Sequence, residues 1–222
     1  MTGLMKILIR SSNVASRFAR DSKGVAAIEF AYIAPILLVM LMATFELSRA
    51  ISIDRRLNSV SAMASELVAR EEQVAAGDLK NIYRSLNHVM EPYDDNSLVV
   101  RLIQVRTDLN GATKVEWSSE INSTAVQDAG NSPLPAPYSQ CSTYNIDAEL
   151  KQNGSRVVVG EVGYNYQPIF GNFVFGDFSL EGLKTKRNQI SGLAGSWSSK
   201  AYYSPRWNCV AYNAANCQTC PD

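Results

Sequence analysis

Val25 to Phe45 reads VAAIEFAYIAPILLVMLMATF, 21 residues with a single charge, Glu29. As a helix rising about 1.5 Å per residue it spans roughly 30 Å, the thickness of a bilayer's hydrocarbon core. Residues 1–24 carry Lys6, Arg10, Arg17, Arg20 and Lys23 against Asp21 alone. Positive flanks resist translocation, so this basic head is expected in the cytoplasm and the rest of the chain beyond the membrane. Arg49, Arg55 and Arg56 on the far side weaken that asymmetry without reversing it. A secretory signal removed by ordinary signal peptidase has an apolar run of about 7–15 residues and a small-x-small cleavage site. This run is longer and is followed by Glu46-Leu47-Ser48-Arg49.

A plain membrane anchor has no reason to carry Glu29, because a carboxylate inside a bilayer costs several kcal/mol unless it finds a partner. Gly24 and Lys23 immediately precede the run. If the chain is cut between Gly24 and Val25, the new α-amine, with a pKa near 8, lies four residues before Glu29. That spacing puts both on one helical face. In a bundle of parallel helices the same carboxylate can meet a neighbour's terminal amine and fix the axial register.

A basic leader, a glycine and an apolar helix with Glu at its fifth position resemble a type IV prepilin. The run Gly24-Val25-Ala26-Ala27-Ile28-Glu29-Phe30-Ala31, then Pro35, a Leu/Met-rich stretch and Phe45-Glu46, resembles the TadE-like proteins of the Tad (Flp) pilus system. The resemblance is firm over about 40 residues. It implies cleavage at Gly24-Val25 by a prepilin peptidase, a register role for Glu29, and a minor pilin or pseudopilin that serves pilus assembly, initiation and adherence. The partners it implies are the peptidase, other pilins or pseudopilins, the Tad inner-membrane assembly platform and membrane lipid. The implied location is a bacterial inner membrane, crossed once, with a periplasmic head. Phe30, Tyr32 and Pro35 are candidate helix-packing residues. Pro35 lacks an N–H and is expected to loosen the helix near Ala31.

The apolar positions Leu47, Ile51, Leu57, Val60, Ala64, Leu67 and Val68 recur every three to four residues with no Pro or Gly. The helix is therefore predicted to continue to about Arg70. Asp78 is the expected N-cap of a short helix with a stripe of Leu79, Ile82, Leu86 and Val89, ending before Pro92. Ser97–Thr107 alternates as a half-buried strand does, Asp108-Leu109-Asn110-Gly111 is turn chemistry, and Thr113–Ser118 completes a hairpin. Residues 119–140, rich in Ser, Asn, Gly and Pro, read as a surface loop. Arg156–Gln167 and Phe178–Arg187 are the remaining strands, with the aromatic run 168–176 between them and an irregular tail over 188–222. The fold class is α+β. Its parts are a leader (1–24), a membrane helix (25–45), an extension of that helix (46–70) and a head (71–222) with about four antiparallel strands.

Across its 222 residues the chain has 21 basic and 21 acidic side chains, 46% hydrophobic residues and 19% charged ones. That balance argues against nucleic-acid binding and against wholesale disorder. All four cysteines, Cys141, Cys209, Cys217 and Cys220, follow the apolar run, as disulfides in an oxidising compartment would. Three connectivities are open. Cys217-Gln218-Thr219-Cys220 has the spacing of a thiol oxidoreductase, but Pro221 follows where such a motif opens a helix. There is no P-loop, GxGxxG, HExxH or GxSxG, and His88 is the only histidine. The expectation is therefore no catalytic residue, no cofactor and no metal site. The competing reading is an uncleaved single-pass envelope protein whose head binds a ligand or surface. A membrane-anchored thiol oxidoreductase comes third.

Overall fold

A helix of 46 residues, α1 (Val25–Arg70), opens the computed structural model, which describes residues 24–93, 98–128, 133–166, 169, 197–213, 217 and 220. The helix continues through Pro35 without interruption. The chain divides into two compact units, Met1–Leu47 and Ser48–Asp222, and the boundary falls within α1.

Within the second unit, β1 (Gln73–Val74) follows α1, then α2 (Ala76–Met90), β2 (Leu98–Thr107), β3 (Thr113–Asn122), α3 (Ser123–Gln127), β4 (Arg156–Tyr164), β5 (Trp197–Tyr203) and β6 (Ala211–Tyr212). The main sheet runs β3-β2-β4-β5, all antiparallel, while β1 and β6 form a separate parallel pair. The architecture is α+β, as the sequence predicts. The fourth strand, however, is Trp197–Tyr203, inside the stretch read as irregular tail. The expected strand Phe178–Arg187, and the aromatic run before it except Ile169, lie outside the described residues.

The helix α1 buries Ala50, Ile53, Leu57, Val60, Ala64 and Val68, at steps of three to four. Leu47, Ile51 and Leu67, expected on that stripe, are exposed instead, because the true stripe is rotated by about one position. The stripe joins Leu79, Tyr83, Leu86 and Met90 of α2 and Leu98, Val100, Leu102, Val158 and Val162 of the sheet in one core. At its closest approach, a Cβ added to Gly160 of β4 would lie 2.6 Å from the Ser61 carbonyl oxygen. A hydrogen there lets helix and strand backbones touch. Ser61 and Ser199 hydroxyls meet across the same seam at 3.0 Å, and Ser199 donates to Asn58 Oδ1 at 2.7 Å.

Asp78 is not the N-cap of α2. It sits at the third helical position, and its carboxylate accepts from the N–H of the true cap, Ala75, at 2.9 Å.

The strands are covered on both faces, which overturns the half-buried reading of β2. Residues 134–150 close the second face, where Tyr144 and Ile146 pack on Ile103, Val105, Val115, Val157 and Val159. The same segment seals the outer edge of β3. Backbone N–H groups of Glu120 and Val115 donate to Pro135 and Ser142 at 2.8 and 2.9 Å, and Tyr144 donates to Thr113 at 3.1 Å. The described residues of the predicted surface loop 119–140 are therefore the end of β3, a short helix and part of a structural cover.

Candidate functional site

The first turn of α1 brings together the residues singled out by sequence. Gly24 directly precedes the first helical residue, Val25, and Glu29 follows on the face that Val25 occupies. A Cβ added to Gly24 would meet nothing within 4 Å among the described residues, and the backbone there is not left-handed. Among the described residues, neither packing nor conformation requires glycine at this position. Gly160 is the contrary case within the same chain.

From the first turn to Leu41 the helix surface is largely apolar and exposed. Phe30 is 67% exposed and Tyr32 77%, and Val25, Ile28, Ile33 and the run Ile36–Leu41 are all exposed. Helix α1 is long and apolar enough to cross a membrane, and none of its most apolar 18-residue window is buried. The core helix of a soluble domain would show the opposite. Water does not hold such a surface stably, since burying each large apolar side chain is worth roughly 1.5–3 kcal/mol. The segment is built for a lipid or protein environment.

The head carries a second set of ionisable groups that sequence did not indicate. The register places Glu120, Arg101, Glu161 and Lys200 side by side across all four strands, in alternating charge. Arg101 Nε donates to Glu120 at 2.6 Å, and Lys200 Nζ lies 3.8 Å from Glu161, which is 2% exposed. Two hydroxyls from the covering segment donate to Glu161, Tyr144 at 2.5 Å and Tyr138 at 3.1 Å. The Lys200 ammonium sits 4.3 Å from the centroid of the Tyr144 ring. Burial, aided by the Glu161 charge, raises the Tyr138 hydroxyl to about 12 and pushes Tyr144 further up. Burial and the Asp147 charge raise Tyr202 to about 12. Burial lowers Lys200, against the pull of Glu161. Every member has a partner, and the network ties the covering segment to the sheet.

A bulge performs the same task at the strand ends. Register shifts between Gln104 and Val105, so Glu116 is the extra residue of β3. Its carboxylate accepts from Gln104 Nε2 at 2.5 Å and from Arg156 Nε at 2.9 Å. Gln104 Oε1 in turn accepts the N–H of Val210 at 2.7 Å, and Trp117 Nε1 donates to the Val210 carbonyl at 2.8 Å. These bonds hold the strand-poor segment that contains Cys209.

Cys141 is bonded to Cys220, and Cys209 to Cys217, with Cα separations of 5.4 and 6.1 Å. The two sulfurs of the CxxC motif are therefore bonded to different partners and not to each other. His88 is exposed, with Nδ1 3.0 Å from Glu91.

No curated protein and no solved structure matches the chain. The family model for TadE-like protein matches residues 24–66. It begins at the glycine that the fold does not require and ends within the helical stripe that packs on the head. The likeness to TadE-like proteins is thus a likeness of this N-terminal segment, the helix α1 and the glycine before it.

Proposed function

We propose that this protein is a minor pilin or pseudopilin of a Tad-type pilus, and that prepilin peptidase cuts it between Gly24 and Val25. The observation that carries the reading is the pairing of a glycine the fold does not need with an uncovered apolar helix that begins at the next residue. A glycine that no described contact demands fits recognition from outside, as by a peptidase that selects glycine. Cleavage removes the basic leader and leaves an α-amine one turn from Glu29. The helix then supplies the surface that lies in the bilayer and later packs against other pilins, with Glu29 setting register against a neighbour's terminal amine. The head stays on the periplasmic side of the inner membrane and makes the specific contacts of assembly or adherence. In this scheme the chain is an enzyme's substrate and not an enzyme.

Intact-mass and N-terminal analysis of membrane-extracted protein, from cells with and without the peptidase, tests the reading. The expected product starts at Val25, and the form starting at Met1 accumulates when the peptidase is absent. A chain that still starts at Met1 with the peptidase active overturns cleavage and supports the uncleaved envelope anchor.

A further inference from the structure

We propose that Arg49 and Arg56, set about the ring of Tyr93, bind the phosphate of an anionic phospholipid headgroup. The proposal rests on the membrane-anchor reading of the preceding segment. Both guanidinium groups lie against one aromatic ring, 5.7 and 5.5 Å from its centroid. Like charges gathered on one ring repel unless an anion joins them. Arg56 has a structural partner, since its Nη1 donates to the Val89 carbonyl in the last turn of α2 at 2.5 Å. On Arg49, Nη1 is buried and has no hydrogen-bond partner among the described residues. A buried charged donor without an acceptor is a group shaped for something that comes from outside.

The position along the helix names that something. Arg49 and Arg56 follow Phe45 by four and eleven residues, about 6 and 16 Å of helical rise. Side chains on a helix lean toward its N-terminus, so Arg56 reaches back toward the level of Arg49. That level is the headgroup layer just outside a hydrocarbon core that ends near Phe45. The other face of the same turns agrees. Leu47 and Ile51 are 56% and 45% exposed, and Arg55, one turn further, is exposed too. Two apolar side chains followed by an arginine suit the boundary between acyl chains and phosphates. Planar guanidinium forks are the groups that grip phosphate in two-point fashion.

The test uses the full chain in non-ionic detergent, titrated with phosphatidylglycerol or phosphatidylcholine and followed by native mass spectrometry. Phosphatidylglycerol is expected to bind tighter than phosphatidylcholine by at least fivefold, roughly the contribution of one arginine at an anionic surface. Arg49→Gln should abolish the preference with the head's melting temperature unchanged. Arg49→Lys should restore part of it, and Arg84→Gln, an exposed arginine of α2, should leave it intact. Equal binding of the two lipids, or an undiminished preference in Arg49→Gln, overturns the site. So does loss of the preference on adding inorganic phosphate, which would mark a site for a free anion. A chain that stays soluble without detergent and floats with vesicles of neither lipid overturns the anchor reading itself. Insertion into both kinds of vesicle without preference overturns only the headgroup site.

Discussion

One helix, α1, passes through two chemical environments. In residues 50–69 it buries Ala50, Ile53, Leu57, Val60, Ala64, Val68 and Ala69 against the head and leaves mostly polar residues outside. In residues 25–41 nearly every large side chain is apolar, and the large apolar side chains there are exposed. The head half shows a stripe and the other half has no faces. A stripe is what a helix needs to pack on one neighbour, whereas all-round apolarity is what it needs when lipid or other helices surround it. One element thus solves an internal packing problem at one end and leaves the other end for an external partner.

The two glycines sharpen that comparison most. Gly24→Ala is expected to leave the head's thermal unfolding unchanged and to eliminate processing, so that only the chain starting at Met1 is found by intact mass. Gly160→Val is expected to do the reverse. Its side chain would collide with the Ser61 carbonyl and with Ser65. Overpacking of this kind costs about 1–3 kcal/mol, and more where backbone must move. Loss of head stability in Gly24→Ala, or a head unchanged in Gly160→Val, would break the division between a glycine read from outside and one required within.

Next in size come the disulfides, both of which belong to the head. Cys141–Cys220 joins residues 79 apart and Cys209–Cys217 residues eight apart. In the chain-entropy picture the long closure is worth about 4.5 kcal/mol and the short one about 2.5 kcal/mol. Replacing Cys141 and Cys220 together by serine should therefore lower the head's melting temperature more than replacing Cys209 and Cys217. Neither change should alter cleavage after Gly24 or membrane extraction. Equal effects of the two pairs would show that the long closure does not limit the unfolded chain as drawn.

The same contrast explains what could be read from sequence. The N-terminal segment was legible because its signals are local: a run of apolar residues, one glycine before it, and one carboxylate four residues after Val25. Continuation to Arg70 followed from periodicity, though Leu47, Ile51 and Leu67 were placed on the wrong face because a stripe's rotation depends on what it packs against. The hairpin β2–β3 was legible from its Asp-Leu-Asn-Gly turn. Trp197–Tyr203 was not, since Ser-Ser-Lys in its middle hides a strand whose Ser199 faces Ser61 and whose Lys200 faces Glu161. The alternating row Glu120-Arg101-Glu161-Lys200 draws one residue from each strand. It exists only once register is set, so no stretch of sequence displays it. The cover over the second face was missed for a related reason. Its prolines and serines read as loop, while its anchors, Tyr138 and Tyr144, act through a carboxylate on a distant strand.

That cover gives the smallest expected effect, and one confined to the head. Tyr138 and Tyr202 ionise near 12 in the fold, and Tyr144 higher still, against about 10 in an unfolded chain. A group whose pKa is raised on folding contributes stability below its unfolded value and loses it as pH rises through its folded one. Head stability should therefore fall as pH rises from about 10 toward 12. Lys200 has the opposite sign: its folded pKa is lowered, so its unfavourable contribution fades as pH climbs toward the unfolded value near 10.5. The net fall should thus be shallow at first and steepen once the tyrosines dominate. Thermal unfolding of the full chain in detergent, scanned across that range, reads the slope. Tyr138→Phe removes one of the titrating hydroxyls and leaves Glu161 with Tyr144 and Lys200, so the fall should become shallower, at some loss of stability near neutral pH. If the slope were unchanged in Tyr138→Phe, or if the melting temperature stayed flat throughout, the covering segment would not be held to the sheet by these hydroxyls. The second face of the head would then be closed by its apolar contacts alone.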